Sequence, residues 1–194
     1  MLAAVAGGLR QLLARRGEDV EGLVQRAMVT ISHHQERPGE PQGNTPGWMM
    51  VPLPVGEPDP VRRLELIAAE TAARKDKDRP EAGSGIFRLV AAQRVWYRLF
   101  PRQRSVNLVV SNVPGPPMPL YFARAPLLEV FPLLPPMGNL TLVVAALSYA
   151  GQLNLTAAAD RDNCPDVDVF AQGVHRAFDE FAQAVPVGAS RVVP

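Results

Sequence analysis

Apolar residues recur at helical spacing from the start of the chain, at Leu2, Val5, Leu9, Leu12 and Leu13, with Arg10, Arg15 and Arg16 toward the C-terminal end, where cations complement the helix dipole. This predicts an amphipathic helix over 1–15, stopped at Gly17. Ala27-Met28-Val29-Thr30-Ile31-Ser32 alternates and reads as a strand, and the Gly- and Pro-rich stretch 33–47 reads as a loop. Trp48 to Leu53 reads as a second strand, confined by Pro52, Pro54 and Pro58 to an edge position or an early end. Asp59-Pro60 opens a helix, with Asp59 as N-cap and Pro60 at the first helical position. Its apolar face is Val61, Leu64, Ile67, Ala68 and Thr71, with Arg62, Arg63, Glu65, Glu70 and Arg74 placed elsewhere.

Gly83-Ser84-Gly85 breaks the chain, and Ile86, Leu89, Val90, Val95, Trp96, Leu99 and Phe100 predict a third helix over 86–100, with its aromatics in the core. Val106 to Val110 is a buried-strand run that ends abruptly at Ser111-Asn112-Val113-Pro114-Gly115-Pro116-Pro117. Three prolines in four residues cannot supply ladder N–H groups, so the chain must turn there. Leu127 to Phe131, Leu140 to Ser148 and Gln152 to Ala159 read as strands, the last two joined as a hairpin at Tyr149-Ala150-Gly151. Asn163-Cys164-Pro165-Asp166 starts a final helix whose apolar face is Val167, Phe170, Val174, Phe178 and Phe181. The pattern as a whole is α/β, a mixed sheet flanked by helices, in one domain over 1–184 with a disordered tail over 185–194.

Composition changes this picture little. Hydrophobic residues make up 47%, charged residues 20% and the net charge is +1, which excludes a disordered chain and an electrostatic nucleic-acid binder. The mixed-sign run Arg74-Lys75-Asp76-Lys77-Asp78-Arg79 is a solvated helix end rather than a phosphate site, because its alternating charges cancel the field a polyanion needs. Proline is the departure, at 20 of 194 residues, and it gathers in connectors, which makes them stiff. The single Cys164 excludes an intramolecular disulfide framework and reads as a small residue at a helix start, with no neighbouring histidine to lower its pKa. No apolar run reaches the ~18 residues of a membrane span and no signal-peptide pattern is present. The expected location is cytoplasmic, with peripheral contact to the inner face of a membrane or to a lipid droplet left open. No metal-ligand spacing, phosphate-cradling glycine loop or serine elbow occurs.

The residues Leu2 to Arg10, Gly43-Asn44, Asp59-Pro60 with Arg63-Leu64, Asn112-Val113-Pro114-Gly115-Pro116, Pro119-Leu120-Tyr121, Ser148-Tyr149 with Gly151, Asp160, and Pro165-Asp166 follow one another in an order that resembles the C-terminal half of the bacterial wax ester synthase/acyl-CoA:diacylglycerol acyltransferase family. That family belongs to the chloramphenicol-acetyltransferase-like group of CoA-dependent, two-domain acyltransferases. The resemblance runs from Met1 to about Phe181. It implies one half of such an enzyme, lining a channel along which acyl-CoA and a diacylglycerol or long-chain alcohol reach a catalytic histidine held by the other half.

His33-His34-Gln35-Glu36-Arg37-Pro38-Gly39 looks like the family's catalytic His-His-x-x-x-Asp-Gly, but Pro38 stands where the aspartate belongs and the segment falls in the wrong register. A base needs its orienting partner as well as its imidazole. The segment is therefore read as coincidence, and no residue of this chain is assigned a catalytic role.

The residues the resemblance places at the channel are Asn112, Val113, Pro114, Gly115 and Pro116. Two departures stand out: Arg124, where the family usually has glycine, and Thr156, in a strand where glycine is common. No resident cofactor is implied, acyl-CoA being a co-substrate of the complete enzyme. The implied partners are the N-terminal catalytic half or another acyltransferase chain, acyl-CoA and a lipid acceptor. The alternative is a non-catalytic acyl- or lipid-binding regulatory module. Met1 already lies inside the helical pattern, so either the start is tight or the chain is the later part of something longer. A half of this kind is expected to self-associate through the face that meets its partner.

Overall fold

The runs rich in Val, Ile, Leu and Ala become a five-stranded sheet in the computed structural model, which describes residues 1–32, 46–77 and 102–184. The elements are α1 (Leu2–Arg15), β1 (Val24–Ser32), β2 (Pro46–Pro54), α2 (Pro60–Lys77), β3 (Leu108–Pro114), β4 (Tyr121–Phe122), β5 (Ala125–Pro126), β6 (Leu142–Tyr149), β7 (Gln152–Ala159) and α3 (Val167–Ala184). The sheet order is β2-β1-β3-β6-β7, with β4 and β5 forming a separate two-stranded hairpin. β1, β3 and β6 run parallel, while β7 returns antiparallel to β6. The predicted segments 33–45, the helix over 86–100 and the tail from 185 lie outside the described residues.

The chain divides into two compact units. One comprises Arg26–Val51 and Arg74–Pro165, and holds most of the sheet. Its middle strands are buried at consecutive positions, Leu108 to Val110 and Leu142 to Ala146, as expected of parallel strands covered on both faces. Met28, Val109, Leu140 and Val143 form one core cluster, with Met50, Val106 and Leu134 packed against it. β2 lies at the sheet edge, one of the two outcomes that its prolines allow.

The second unit comprises Met1–Gln25, Pro52–Ala73 and the chain from Asp166 onward. It is organised on α1 and α3, which approach closely because glycine faces glycine. A Cβ at Gly8 would lie 2.6 Å from Val174 Cγ2 and 2.9 Å from the Phe170 carbonyl oxygen, and one at Gly173 would lie 2.8 Å from Gly8 Cα. Val5, Leu9 and Leu12 are buried as the helical spacing predicts, and so are Ala3, Ala4 and Ala6, because small side chains let more than one face be covered. On α3, Phe170 and Val174 are buried and the rings of Phe178 and Phe181 meet edge to face with centroids 6.4 Å apart. Arg16 ties α1 to the start of α3 through a two-point ion pair with Asp166.

Three expectations are corrected. Leu127 to Phe131 is not a strand: β5 ends at Pro126, and 127–137 runs without ladder pairing. Pro126, Pro132, Pro135 and Pro136 remove donors from this segment, so a regular ladder cannot propagate along it. The last helix begins at Val167 rather than at 163, because the Asp160 carboxylate accepts the N–H groups of Asp162 and Asn163 at 3.1 and 2.8 Å and holds 160–163 as a turn. Those hydrogen bonds, that from the Asn163 N–H foremost, keep the Asp160 carboxyl below its ordinary range.

The third correction concerns α2. Asp59 caps it as predicted, its carboxylate accepting the N–H groups of Val61 at 2.8 Å and Arg62 at 3.1 Å. Its buried side, however, is Arg63 and Ile67, while Val61, Leu64 and Ala68 are exposed. Arg63 is only 3% exposed, and its Nε and Nη2 donate to the Glu57 carbonyl at 3.1 and 2.9 Å. Burial lowers its pKa first, with nearby Glu180 opposing that shift. Gly7 makes room for the guanidinium, since a Cβ there would meet Nη1 at 2.8 Å.

Gly8→Val is expected to force α1 and α3 apart and cost about 2–3 kcal/mol, read as a lower urea midpoint at unchanged slope. An unchanged midpoint would show that the glycine contact is not what sets the helix spacing.

Candidate functional site

Because β1, β3 and β6 are parallel, their carboxyl ends lie along one end of the sheet, where open α/β sheets place their ligands. Thr30 Oγ1 donates to Ser111 Oγ at 2.9 Å across β1 and β3. β3 and β6 then stay in register over six pairs, from Val109 opposite Val143 to Pro114 opposite Ser148. Burial falls along β3 as it approaches this end: Leu108 to Val110 are buried, Ser111 is half-buried, and Asn112, Val113 and Pro114 are exposed.

Gly115 and Pro116 close the pair. The Gly115 N–H donates to Ser148 Oγ at 3.2 Å, and the Pro116 carbonyl accepts the Ala150 N–H at 3.1 Å. A Cβ on Gly115 would fall inside the van der Waals envelope of the Ser148 carbonyl oxygen and 3.0 Å from Leu147 Cδ2, so only glycine permits this approach. The five predicted channel residues therefore form one continuous ledge: three exposed residues at the strand end, then a turn pinned to β6.

Tyr149, at the end of β6, extends this pinning. Its ring is buried, and its hydroxyl accepts the Leu120 N–H at 2.7 Å and donates to the Leu127 carbonyl at 2.8 Å. It thereby holds both ends of the β4–β5 hairpin, which turns through Ala123 and Arg124 at φ 47° and 69°. Arg124 occupies a left-handed position, the backbone reason for glycine to be favoured there. The hairpin at Ala150-Gly151 uses the same kind of turn, with φ 47° and 82°. Ser148 and Tyr149 carry part of the family resemblance, yet sequence reasoning gave them no role. Their pairing with Gly115, Leu120 and Leu127 becomes visible only once the register is known. Thr156 pairs with Ala145 and is half-buried within β7.

Chemically, the ledge is bland. From Ser105 to Ala159 the only charged residues are Arg124 and Glu129. Such a surface can position apolar groups and offer backbone hydrogen bonds, and the ledge itself contains no acid or base. Among the described residues no group of three or more His, Cys, Asp or Glu is placed to hold a metal. Cys164 is buried. His33, His34 and Pro38 lie outside the described residues.

Residues 42–182 match the family model described as the WS/DGAT C-terminal domain. The chain belongs to the wax ester synthase/diacylglycerol acyltransferase family. A relative named as a putative diacylglycerol O-acyltransferase of Mycobacterium tuberculosis is 31% identical over 94% of this chain and 38% of its own length. The probable diacylglycerol O-acyltransferase tgs1 of the same species is 30% identical over 99% of this chain and 42% of its own. The fold matches the wax ester synthase/diacylglycerol acyltransferase of Marinobacter aquaeolei with a TM-score of 0.67, at 23% identity, covering 94% of this chain and 42% of that one. The chain thus spans about two-fifths of the length of these acyltransferases. Among the described residues no helix is long and apolar enough to cross a membrane.

Gly115→Ala is expected to separate the ledge from Ser148 and cost about 3 kcal/mol in denaturant unfolding; a cost near zero would mean that the close approach is not required. Tyr149→Phe leaves the Leu120 N–H and Leu127 carbonyl without their partner and should cost about 1–3 kcal/mol. It should also speed amide hydrogen exchange at Leu120, and unchanged exchange there would dismiss the hydroxyl as the hairpin's anchor.

Proposed function

We propose that this chain is the C-terminal, non-catalytic half of an O-acyltransferase that moves an acyl group from acyl-CoA to diacylglycerol or a long-chain alcohol, and that Asn112 to Pro116 line its substrate channel. The observation that carries the reading is the ledge itself. It stands at the carboxyl ends of parallel strands, exposed at Asn112 to Pro114, rigid in backbone and free of charged side chains. An alkyl chain needs apolar, fixed walls, and a strand end stiffened by Pro114 and Pro116 supplies them at small entropic cost.

The names of the matched relatives support the reaction class, and the description of the matched model supports the position within the enzyme. Acyl transfer to an alcohol also needs a base to take the hydroxyl proton, and the ledge has none. That step falls to the part of the enzyme this chain does not match. Acyl-CoA and the lipid acceptor are then co-substrates of the assembled enzyme, whose proposed location is the cytoplasm or the inner face of the membrane.

The purified chain should transfer no acyl group from palmitoyl-CoA to diolein or hexadecanol, and should support transfer when co-expressed with the unmatched part of a family member. In that assembled enzyme Asn112→Trp, an exposed substitution, should lower kcat/KM about tenfold or more with thermal stability unchanged. Transfer by the chain alone, lost with His34→Ala, would overturn the non-catalytic assignment. An unaffected kcat/KM in Asn112→Trp would remove the ledge from the channel.

A further inference from the structure

We infer that Arg26, Arg102 and Arg104 form a cationic surface whose partner is a bilayer carrying anionic phospholipid headgroups. All three are exposed, and they gather at the amino ends of β1 and β3. Strand pairing brings them together: the Asn107 N–H donates to the Arg26 carbonyl at 2.9 Å, and Asn107 Oδ1 accepts the Arg26 N–H at 2.8 Å. Arg26 Nη2 donates to the Arg104 carbonyl at 3.3 Å. The loop that carries Arg102 and Arg104 is fastened by neutral amides. Gln103 Oε1 accepts the N–H groups of Ser105 and Val106 at 2.9 and 2.8 Å, its Nε2 donates to Asn139 Oδ1 at 2.9 Å, and Asn139 Nδ2 donates to the Gln103 carbonyl at 2.6 Å. A loop held this way leaves its guanidinium charges uncancelled. Among the described residues no carboxylate pairs with any of the three arginines, whereas Arg16 is matched with Asp166 and Arg62 with Glu65.

The charge at this end of the sheet has one prevailing sign. The turn after β7, two strands from β3, adds Asp160, Arg161 and Asp162, and its single net negative charge does not cancel three arginines. In the sequence the excess extends upstream, with five arginines and no aspartate or glutamate between Glu81 and Ser105. A nucleic acid would call for a longer basic track and a larger net charge than +1. Free acyl-CoA would present its phosphates where its thioester reaches the ledge. The patch stands at the opposite end of β3, roughly 20 Å off, with the core cluster of Met28, Val109 and Val143 between. A planar anionic surface asks only for clustered cations, each of which strengthens attachment about fivefold. The choice of partner rests on the acyltransferase reading above, in which the acceptor is a lipid: a charged face brings the enzyme to a bilayer and leaves the ledge clear of it.

The test floats the purified full chain with vesicles of phosphatidylcholine alone and of phosphatidylcholine with phosphatidylglycerol. The chain should bind the anionic vesicles about tenfold more strongly or better, and raised salt should release it. The triple variant Arg26→Gln, Arg102→Gln, Arg104→Gln should lose about a hundredfold in partitioning to them, and the triple variant Arg26→Lys, Arg102→Lys, Arg104→Lys should keep most of it. Arg102→Glu, at a side chain without a hydrogen bond among the described residues, reverses one charge while leaving the loop's fastening intact, and alone should cost about tenfold. Arg176→Gln, exposed on α3, is the control and should change nothing. Equal binding to both kinds of vesicle, or unchanged binding in the glutamine and Arg102→Glu variants, would overturn the patch. Release by free coenzyme A at constant ionic strength would give the arginines to a soluble phosphate ligand and reject the bilayer. Binding is read without acyl transfer, so its loss leaves the half-enzyme reading standing, and failure of transfer in the co-expressed enzyme leaves the vesicle result untouched.

Discussion

The approach of Gly115 to the Ser148 carbonyl is the constraint on which the described site depends. Six residues of parallel pairing between β3 and β6 bring the two chains together, but a parallel ladder would ordinarily continue until one strand ran out. Here Pro114 and Pro116 remove the donors, and Gly115 lets the backbone collapse onto β6 at the point where it leaves the ladder. The stop is thus fixed to within a residue. Asn112 to Pro114 are held out at the strand end, and the chain that follows is delivered beside Tyr149, whose hydroxyl fixes both ends of the next hairpin. Gly115, Pro116, Leu120 and Leu127 are all hydrogen-bonded to the same short segment, Ser148 to Ala150.

The other unit shows a different economy. A guanidinium buried to 3% exposure costs solvation that only good partners offset. Arg63 finds its partners in backbone, donating to the carbonyls of Glu57 and Pro58, while Arg10 donates to those of Val55 and Gly56. Two arginines from two helices thereby fasten the turn that joins β2 to α2. Carbonyl oxygens carry no full charge, so burial remains the first influence on the Arg63 pKa and lowers it, and the guanidinium still stays protonated at any ordinary pH. Gly7 is as much a part of this fastening as the arginines, since a side chain there would occupy the space of Nη1.

How far the sequence could be read follows from these two places. Pattern located α1, α2, α3 and the strands β1, β2, β3, β6 and β7, because the helices space their apolar residues every three to four positions and the strands show as alternating or continuous apolar runs. It recognised the Asp59 cap, and for β2 it offered an edge position or an early end, both local consequences of residue type. It failed on the buried side of α2: a helical wheel ranks side chains by hydrophobicity, and buried Arg63 is met by the carbonyls of Glu57 and Pro58, a fact of the turn rather than of the helix. It also read Leu127 to Phe131 as a strand, since an apolar run looks the same whether it is covered by its own fold or bare. Of the ledge, the sequence showed the place and the stop. The partners that pin it, Ser148 and Ala150, lie more than thirty positions on and depend on register.

The exposed run read as a strand bears on the proposed function. A strand in a sheet has alternate side chains under cover, whereas here Met118, Tyr121, Phe122, Leu128, Phe131 and Leu133 all stand exposed. A ledge that has neither acid nor base is what the proposed channel-lining role rests on. Ester formation asks two separable things of a protein, a dry, shaped path for an alkyl chain and a proton acceptor at its end. The segment from Ser105 to Ala159 has the composition for the first and, apart from Glu129, lacks any carboxylate or imidazole for the second. Division of one site between two parts of an enzyme, as proposed for this chain, then has a physical rationale. The half that forms the path can be rigid and uncharged, and the charged chemistry can be confined to the other, where burial and neighbours can tune it without destabilising the wall.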